Sequence, residues 1–435
     1  MIRLCTRPCD PIDGRAISPL SRFIDDGALF RIRQLAQRPG LRVLAFSLGS
    51  LLLALLAARV GRYIHADITL ELASGAVDDL LHIVASSMLA VTTFSVGIIV
   101  SALGRASSNA TPRATQLLIA DRTAQNALSI FVGAFIYSIV GIIGISAGYY
   151  EDRARIILFF VTLGVIALIV WSLLRWIDHL HDFGRTSDII RRLEKAATEA
   201  AEAVGSLPAH GAVPAGAGDG ALQIRAAKSG YLRHVDMAEL DRIGDEAEIR
   251  IHVVHLAGHH VHRGEPLARL SGPVSDKTGT AIRDAFAIGV GRSFDQDMRY
   301  GMIVLSEVAS RALSPAVNDP GTAIDVLRAG TRVLEAFHRA RPDAQPAGCR
   351  HVTAPDIDLE QAYEEFFAPI ARDGAALVEV QEVLQSSLAH LGRKGDPAVA
   401  GFQADAARAV AAARLSHTRD LARLRVAHQG QPPQR

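Results

Sequence analysis

The sequence predicts an α-helical membrane protein: four transmembrane helices followed by a cytoplasmic α+β region that holds a small β-rich domain and a helical bundle. Three observations carry that class. Long apolar runs crowd the residues before position 175, strand-like alternation occupies residues 222–271, and a helical period returns from Thr278. The 435 residues leave room for two or three units. Mean hydropathy is +0.21 although 21% of residues are charged, so the apolar excess has to be concentrated.

Each span follows from length and composition. Roughly 20 mostly apolar residues carry a helix across the hydrocarbon core. Leu41–Ala58, Leu80–Leu103, Gln125–Ala147 and Ile156–Leu174 meet that condition without an internal Asp, Glu or Lys, and together they make a transmembrane domain over residues 41–175. Arg42 sits at an end, where its side chain can snorkel. The segment 1–40 is too long for a signal-peptide n-region and no A-x-A site follows the first run, so that span is expected in the mature protein.

Charge placement orients the spans. Arg31, Arg33, Arg38 and Arg42 flank the first span, Arg105, Arg113 and Arg122 fill the second loop, and Arg175, Arg185, Arg191, Arg192 and Lys195 follow the fourth. The other two loops mix fewer arginines with Asp and Glu. The positive-inside rule then places both termini in the cytoplasm. Net charge is only +1 and no basic, aromatic-interleaved stretch occurs, so nucleic acid is not an expected partner; the lipid bilayer is.

Small residues mark two helix faces. Ser86, Ala90, Thr93, Gly97, Ser101 and Gly104 recur at helical spacing on the second span, as do Gly133, Gly141, Gly144 and Gly148 on the third. Such faces let backbones approach, so these two are expected to meet each other or a second subunit in a homo-oligomer. A wet path lined by the hydroxyls is the alternative; packing is preferred because membrane-embedded ionisable residues are missing apart from His82 near a span end, and the hydroxyls can bond back one turn. In the following loop, Thr111 and Pro112 read as the cap and first turn of a short helix, with Arg113 and Arg122 available to lipid phosphate or to the cytoplasmic half.

Beyond the fourth span, residues 176–203 continue the amphipathic pattern as a juxtamembrane helix, and 204–221, rich in Gly, Ala and Pro, read as a flexible linker. Asp178, His179, His181 and Asp182 fit a polar collar at the interface. In the β-rich stretch, Ile249, Ile251 and Val253 alternate with Glu248, Arg250 and His252, while Asp236 caps a short helix. His252, His255, His259, His260 and His262 crowd there as well. Alternation sends His252 and His255 to opposite faces and no acidic or Cys partner has a fixed spacing with them, so no metal is assigned. The cysteines Cys5, Cys9 and Cys349 form no disulfide framework and read as free thiols.

Residues 278–427 read as helical and 428–435 as a disordered tail. Within the helical part, Glu307 lies four residues before Arg311, the favourable order for a helical pair. The helix stops before Pro315, and Asp319 caps another that begins at Pro320. Asp295, Asp297, Arg299, Glu307, Arg311, Asn318 and Asp319 are the candidate ligand-binding residues; spacing alone favours their serving as caps and pairs that hold the corner.

The stretches "ASSNATPRATQLLIADRTAQNALSIFVGAFIYS", "SGYLRHVDMAEL" with "VHRGEPLARL", and "FDQDMRYGMIVLSEVASRALSPAVNDPGTAIDVL" resemble the domain-of-unknown-function family numbered 2254 over most of residues 40–390. The resemblance implies a bacterial inner-membrane protein and brings no known reaction, catalytic residue or cofactor. No catalytic triad, P-loop, Rossmann glycine pattern or zinc-protease helix occurs, which argues against an enzyme. The expected function is therefore an oligomeric channel-like or transport-related protein with a cytoplasmic sensing domain. The alternatives are a membrane-tethered ligand-binding or enzymatic module and a scaffold without chemistry.

Overall fold

A computed structural model describes residues 43–52, 56, 71–150, 152–214, 222–341 and 348–428. Helix α1 (Val43–Leu52) covers part of the first expected span; the rest of that span lies outside the described residues, as do segment 1–40 and most of tail 428–435. Helices α2 (Glu71–Asn109), α3 (Thr115–Ile119), α4 (Arg122–Ser146) and α5 (Asp152–Leu180) follow. Among the described residues three helices, over Ala76–Ser108, Arg122–Ser146 and Ala154–Leu180, are long and apolar enough to cross a membrane, against the four expected. Phe94, Val100, Ile143, Phe160 and Leu174 stay exposed on them, an arrangement that suits lipid and not water. Between α4 and α5 the hydroxyls of Tyr137 and Thr162 meet at 3.0 Å, both buried.

The fourth span does not run straight into the juxtamembrane helix. α5 stops at Leu180, and α6 (Thr186–Ser206) starts after a turn in which Gly184 has φ +78°. A Cβ on Gly184 would lie 2.9 Å from that of Ala102, so this turn requires both the left-handed backbone and the missing side chain. Residues 204–214, the described part of the expected linker 204–221, also depart from it. Pro208–Gly211 forms a 3₁₀ turn, Ala209 and Ala212 are buried, and β1 (Val213–Pro214) joins a sheet. Their small side chains, read as flexible, are what lets this backbone pack closely.

The β-rich unit reaches past residues 222–271. Its strands are β2 (Leu222–Arg225), β3 (Gly230–Val235), β4 (Ile251–Val253), β5 (His260–Val261), β6 (Pro266–Leu270), β7 (Phe286–Gly289) and β8 (Val352–Ala354), with helices α7 (Met237–Glu246) and α8 (Asp276–Asp284) between them. One sheet has the order β1-β8-β4-β6-β2 and the other β5-β3-β7. Ile251 and Val253 pair with Leu270 and Ala268, and β8 lies parallel to β4. The two sheets share one apolar core, to which Leu232, Val261, Leu267 and Val352 contribute. A strand that starts 82 residues beyond the end of β6 (Leu270 to Val352) completes it, which local periodicity cannot reveal.

The helical bundle comprises α9 (Met298–Ala312), α10 (Pro320–Ala340), α11 (Leu359–Asp373), α12 (Val378–Lys394), α13 (Pro397–Ala412) and α14 (Thr418–His428). α6 packs along α10 and is flanked by the ion pairs Glu194–Arg332 and Glu202–Arg339. A single apolar cluster runs from Val84 and Met88 of α2 through Leu118, Phe131 and Trp176 to Leu305, Phe366 and Leu388. Each fully buried large side chain of its bundle part, such as Leu305 or Phe366, contributes about 2 kcal/mol, several times what an exposed ion pair does. The spans and the bundle are therefore held together mainly by apolar packing.

Polar groups set the register of that junction. Asp121 caps α4 by accepting the N–H of Ala124 at 2.7 Å, takes a hydrogen bond from Arg192 Nη1 of α6 at 2.5 Å, and lies 3.1 Å from His179 Nε2 of α5. Burial alone raises its carboxyl, but His179, the Ala124 N–H and Arg192 outweigh burial and hold it far below the usual carboxylate range. Asp121→Asn keeps a capping oxygen while removing the charge. It is expected to destabilise the protein by roughly 2 kcal/mol, read as a lower thermal midpoint in detergent. The loss should shrink as pH falls below about 4, where the wild-type carboxylate begins to protonate in the unfolded chain.

Candidate functional site

A set of histidines, carboxylates and arginines outside the spans lines a cleft of about 410 Å³ between the β-rich unit and the bundle. Its floor begins with Asp297, the N-cap of α9, whose Oδ1 accepts the N–H of Tyr300 at 3.0 Å. Arg292 reaches forward five residues and donates Nε to Oδ2 at 2.7 Å and Nη2 to Oδ1 at 2.8 Å. Burial pushes the Asp297 carboxyl up while Arg292 pulls it down. Gly258 covers this pair at φ +95°, and a Cβ there would sit 2.3 Å from Asp297 Oδ2. Only glycine lets the loop come so close. Arg299, the second residue of α9, donates Nε to Glu365 of α11 at 2.9 Å.

The loop that carries Gly258 is anchored to β3: Gly258 donates to Leu232 O at 2.8 Å and Leu232 donates to His259 O at 2.9 Å. The resulting turn stacks the imidazoles of His255 and His259 with centroids 3.8 Å apart and planes 4° from parallel. Glu265, from the turn between β5 and β6, faces them. Its Oε2 accepts the N–H of His262 at 2.7 Å, and its Oε1 lies 3.3 Å from His255 Nε2 and 3.8 Å from His259 Nε2. The His262 N–H holds Glu265 below the usual carboxylate range, while burial, then His259, lowers His255. The acidic partner absent from the linear spacing is thus supplied by the chain's return. The "HRGEP" turn was its one local sign. His252 points elsewhere, with Nδ1 3.0 Å from Thr353 Oγ1.

On the opposite side the backbone is strained. Ala209, His210 and Gly211 follow one another at φ +50°, +55° and +84°, a left-handed run that two of the three residues resist. The Ala209 N–H donates to Asp356 Oδ1 at 3.2 Å, and Asp356 in turn pairs with Arg341. His210 is thereby aimed into the cleft. Burial, with His234 second, draws its pKa down to about 4 against the pull of Asp356.

The seven residues proposed around the helix corner do not converge. Asp297 and Arg299 reach the cleft, and Asp295 accepts a hydrogen bond from Ser293 Oγ at 2.6 Å. Glu307 does not pair with Arg311; it pairs with Arg113 and accepts the hydroxyl of Thr111 at 2.8 Å. Arg311 is exposed. Asn318, at φ +51°, donates its N–H to Ser314 O at 2.8 Å. Asp319 caps α10 through the Thr322 N–H at 3.1 Å and the Thr322 hydroxyl at 2.7 Å. The 15-residue α9, about 22 Å long, stands between these corner residues and the cleft. The cap reading is what their geometry supports.

Nor do the two small faces meet. Added Cβ atoms on Gly133, Gly141 and Gly144 would strike Ser50 of α1, Leu81 of α2 and the Tyr150 ring at 2.9, 2.9 and 2.4 Å, so the α4 face is filled. The α2 face is turned outward: Ser86, Thr93, Gly97 and Ser101 are exposed, and nothing lies within 4 Å of a Cβ on Gly97. Ser86 and Thr93 bond back to His82 O at 3.0 Å and Leu89 O at 2.9 Å. Among the described residues Cys349 is the free cysteine, half-buried, with burial raising its thiol to about 11.

A histidine whose folded pKa lies below its ordinary value of about 6.5 opposes folding when it must be protonated. Its stability contribution is therefore complete above about pH 6.5 and erodes as pH falls toward the folded value near 4. Thermal midpoints measured from pH 7 to 5 should fall, and His210→Asn, which tolerates the left-handed backbone, should flatten that slope.

A family described as predicted membrane protein (DUF2254) matches residues 36–390. The uncharacterised protein Rv1290c of Mycobacterium tuberculosis is 27% identical over 278 residues, 60% of this chain and 53% of that protein. Uncharacterised protein Mb1321c of Mycobacterium bovis matches at the same identity and coverage. The chain thus spans about half the length of these curated relatives. No solved structure matches it.

Proposed function

The chain belongs to the DUF2254 family of predicted membrane proteins, and on that premise we propose an oligomeric, channel-like or transport-related protein of the bacterial inner membrane whose extramembrane half senses a ligand in the cleft. The observation that carries this reading is the course of α9. Its first turn, at Asp297 and Arg299, lies in the cleft, and Glu307 on the same helix holds Thr111 and Arg113 of the connection between α2 and α4. One rigid element therefore touches both places. The Arg113 side chain is 56% exposed and that of Glu307 28%, so their pair contributes only about 0.5 kcal/mol. A contact that weak is readily made and broken by a ligand that prefers one position of α9.

The outward stripe Ser86, Thr93, Gly97 and Ser101 supports a second copy packing against α2. The arginine asymmetry of the loops supports cytoplasmic termini. A membrane-tethered binding or enzymatic module is the second reading, favoured by the cleft taken without its link to the spans.

Purified full-length chain reconstituted in vesicles is expected to release potassium or carboxyfluorescein faster than protein-free vesicles. Glu307→Gln should change that rate several-fold while leaving the thermal midpoint within about 2 °C. Release equal to that of protein-free vesicles for both proteins rejects transport. Orientation is read with Lys228→Cys, an exposed site, after Cys5, Cys9 and Cys349 are replaced by Ser. An impermeant maleimide should label it only after spheroplasts are lysed; labelling of intact spheroplasts reverses the assigned topology.

A further inference from the structure

We infer that His255, His259 and Glu265 form a binding site for a divalent transition cation, zinc by the chemistry of its donors, on the wall of the cleft. The inference names a ligand class for that cleft; it rests on the sensing reading only for what binding accomplishes, not for whether binding occurs.

Geometry comes first. Two His nitrogens and a carboxylate oxygen, each about 2.0–2.1 Å from a tetrahedral zinc, stand about 3.3 Å from one another. Glu265 Oε1 is 3.3 Å from His255 Nε2 and 3.8 Å from His259 Nε2, and the three donor atoms fall within 4.8 Å of each other. The stacked rings direct their lone pairs side by side, so one ring has to turn for both to converge. His259, whose side chain is 46% exposed, has the room to do so.

Donor type then selects the metal. Imidazole nitrogen with one carboxylate suits zinc and its transition-row neighbours, whereas magnesium and calcium favour all-oxygen shells. The surroundings are built to the same end. The second oxygen of Glu265 is held by the His262 N–H at 2.7 Å, the kind of outer hydrogen bond that orients a ligating carboxylate. The turn bearing both histidines is pinned to β3 by the Gly258–Leu232 and Leu232–His259 hydrogen bonds, so the fold brings the donors together before any metal binds. Three protein donors leave a fourth position for water or another small ligand, and His255 and His259 both line the cleft. Because Gly258, between the two histidines, abuts Asp297 at the start of α9, a metal that tightens this turn acts directly on the end of that helix.

The test uses untagged full-length protein in detergent, stripped with EDTA and dialysed. Titration with Co²⁺ should develop the visible absorption of a four-coordinate site at one equivalent per chain, and Zn²⁺ should bleach it. Glu265→Gln keeps the size of the side chain and an acceptor for His262, so it should remain folded by circular dichroism. It should lose more affinity than the roughly 10–100-fold expected for an outer partner. His255→Ala with His259→Ala should abolish the signal, and His252→Ala should leave it unchanged. No cobalt spectrum in the wild type, or a folded Glu265→Gln that binds like the wild type, overturns the site. Wild-type binding without any metal effect on vesicle release upholds the site and rejects the gating role; metal-independent release that still responds to Glu307→Gln, with no cobalt bound, does the reverse.

Discussion

One buried carboxylate fixes how the apolar helices α4 and α5 sit against α6. Asp121 is almost fully enclosed, and an uncompensated charge in such a place costs several kcal/mol. It is tolerated because α4 offers an N–H, α6 an arginine and α5 a histidine at the same point. Its contacts with all three helices restrict how they sit against one another. Apolar packing from Val84 to Leu388 supplies most of the cohesion, but packing tolerates sliding, and a buried charge with directional partners does not.

From that junction the layout of the extramembrane half follows. α6 turns away at Gly184 and lies along α10, which brings α9 beneath the connection between α2 and α4. Glu307 takes Arg113 and Thr111 there, and the other end of α9 opens the cleft. A helix does not compress appreciably under the forces a small ligand exerts, so its two ends move together. The coupling rests on a shared rod and a weak surface pair, with no need for a longer chain of contacts.

Strain and close approach are concentrated where the cleft is built. The left-handed run Ala209–Gly211 and the contact of Gly258 with Asp297 are both unfavourable for ordinary residues, and both bring imidazoles toward the same space. Structure of this kind persists only when its surroundings over-determine it. Here β1 pairing with β8, Asp356 accepting the Ala209 N–H, and the anchoring of residues 258–259 to β3 do so.

Hydropathy, helix caps and strand alternation are local properties, and what depends on them was legible in the sequence. Three of the four expected apolar spans, the caps at Asp236 and Asp319, the stop before Pro315, and the inward faces of Ile251 and Val253 reappear among the described residues. Pairing across long separations was not legible. Nothing near Glu307 says that its partner is Arg113 rather than Arg311, nothing near β4 announces β8, and the spacing of the histidines does not contain Glu265. A helix or strand is selected by the residues within a turn or two of it, whereas a partner is selected by where the whole backbone returns. Three apolar spans and most helices with their caps were therefore determined by the sequence read locally, whereas β1, β7 and β8, the cleft with its His255–His259–Glu265 cluster, and its link to the connection between α2 and α4 were decided by tertiary packing.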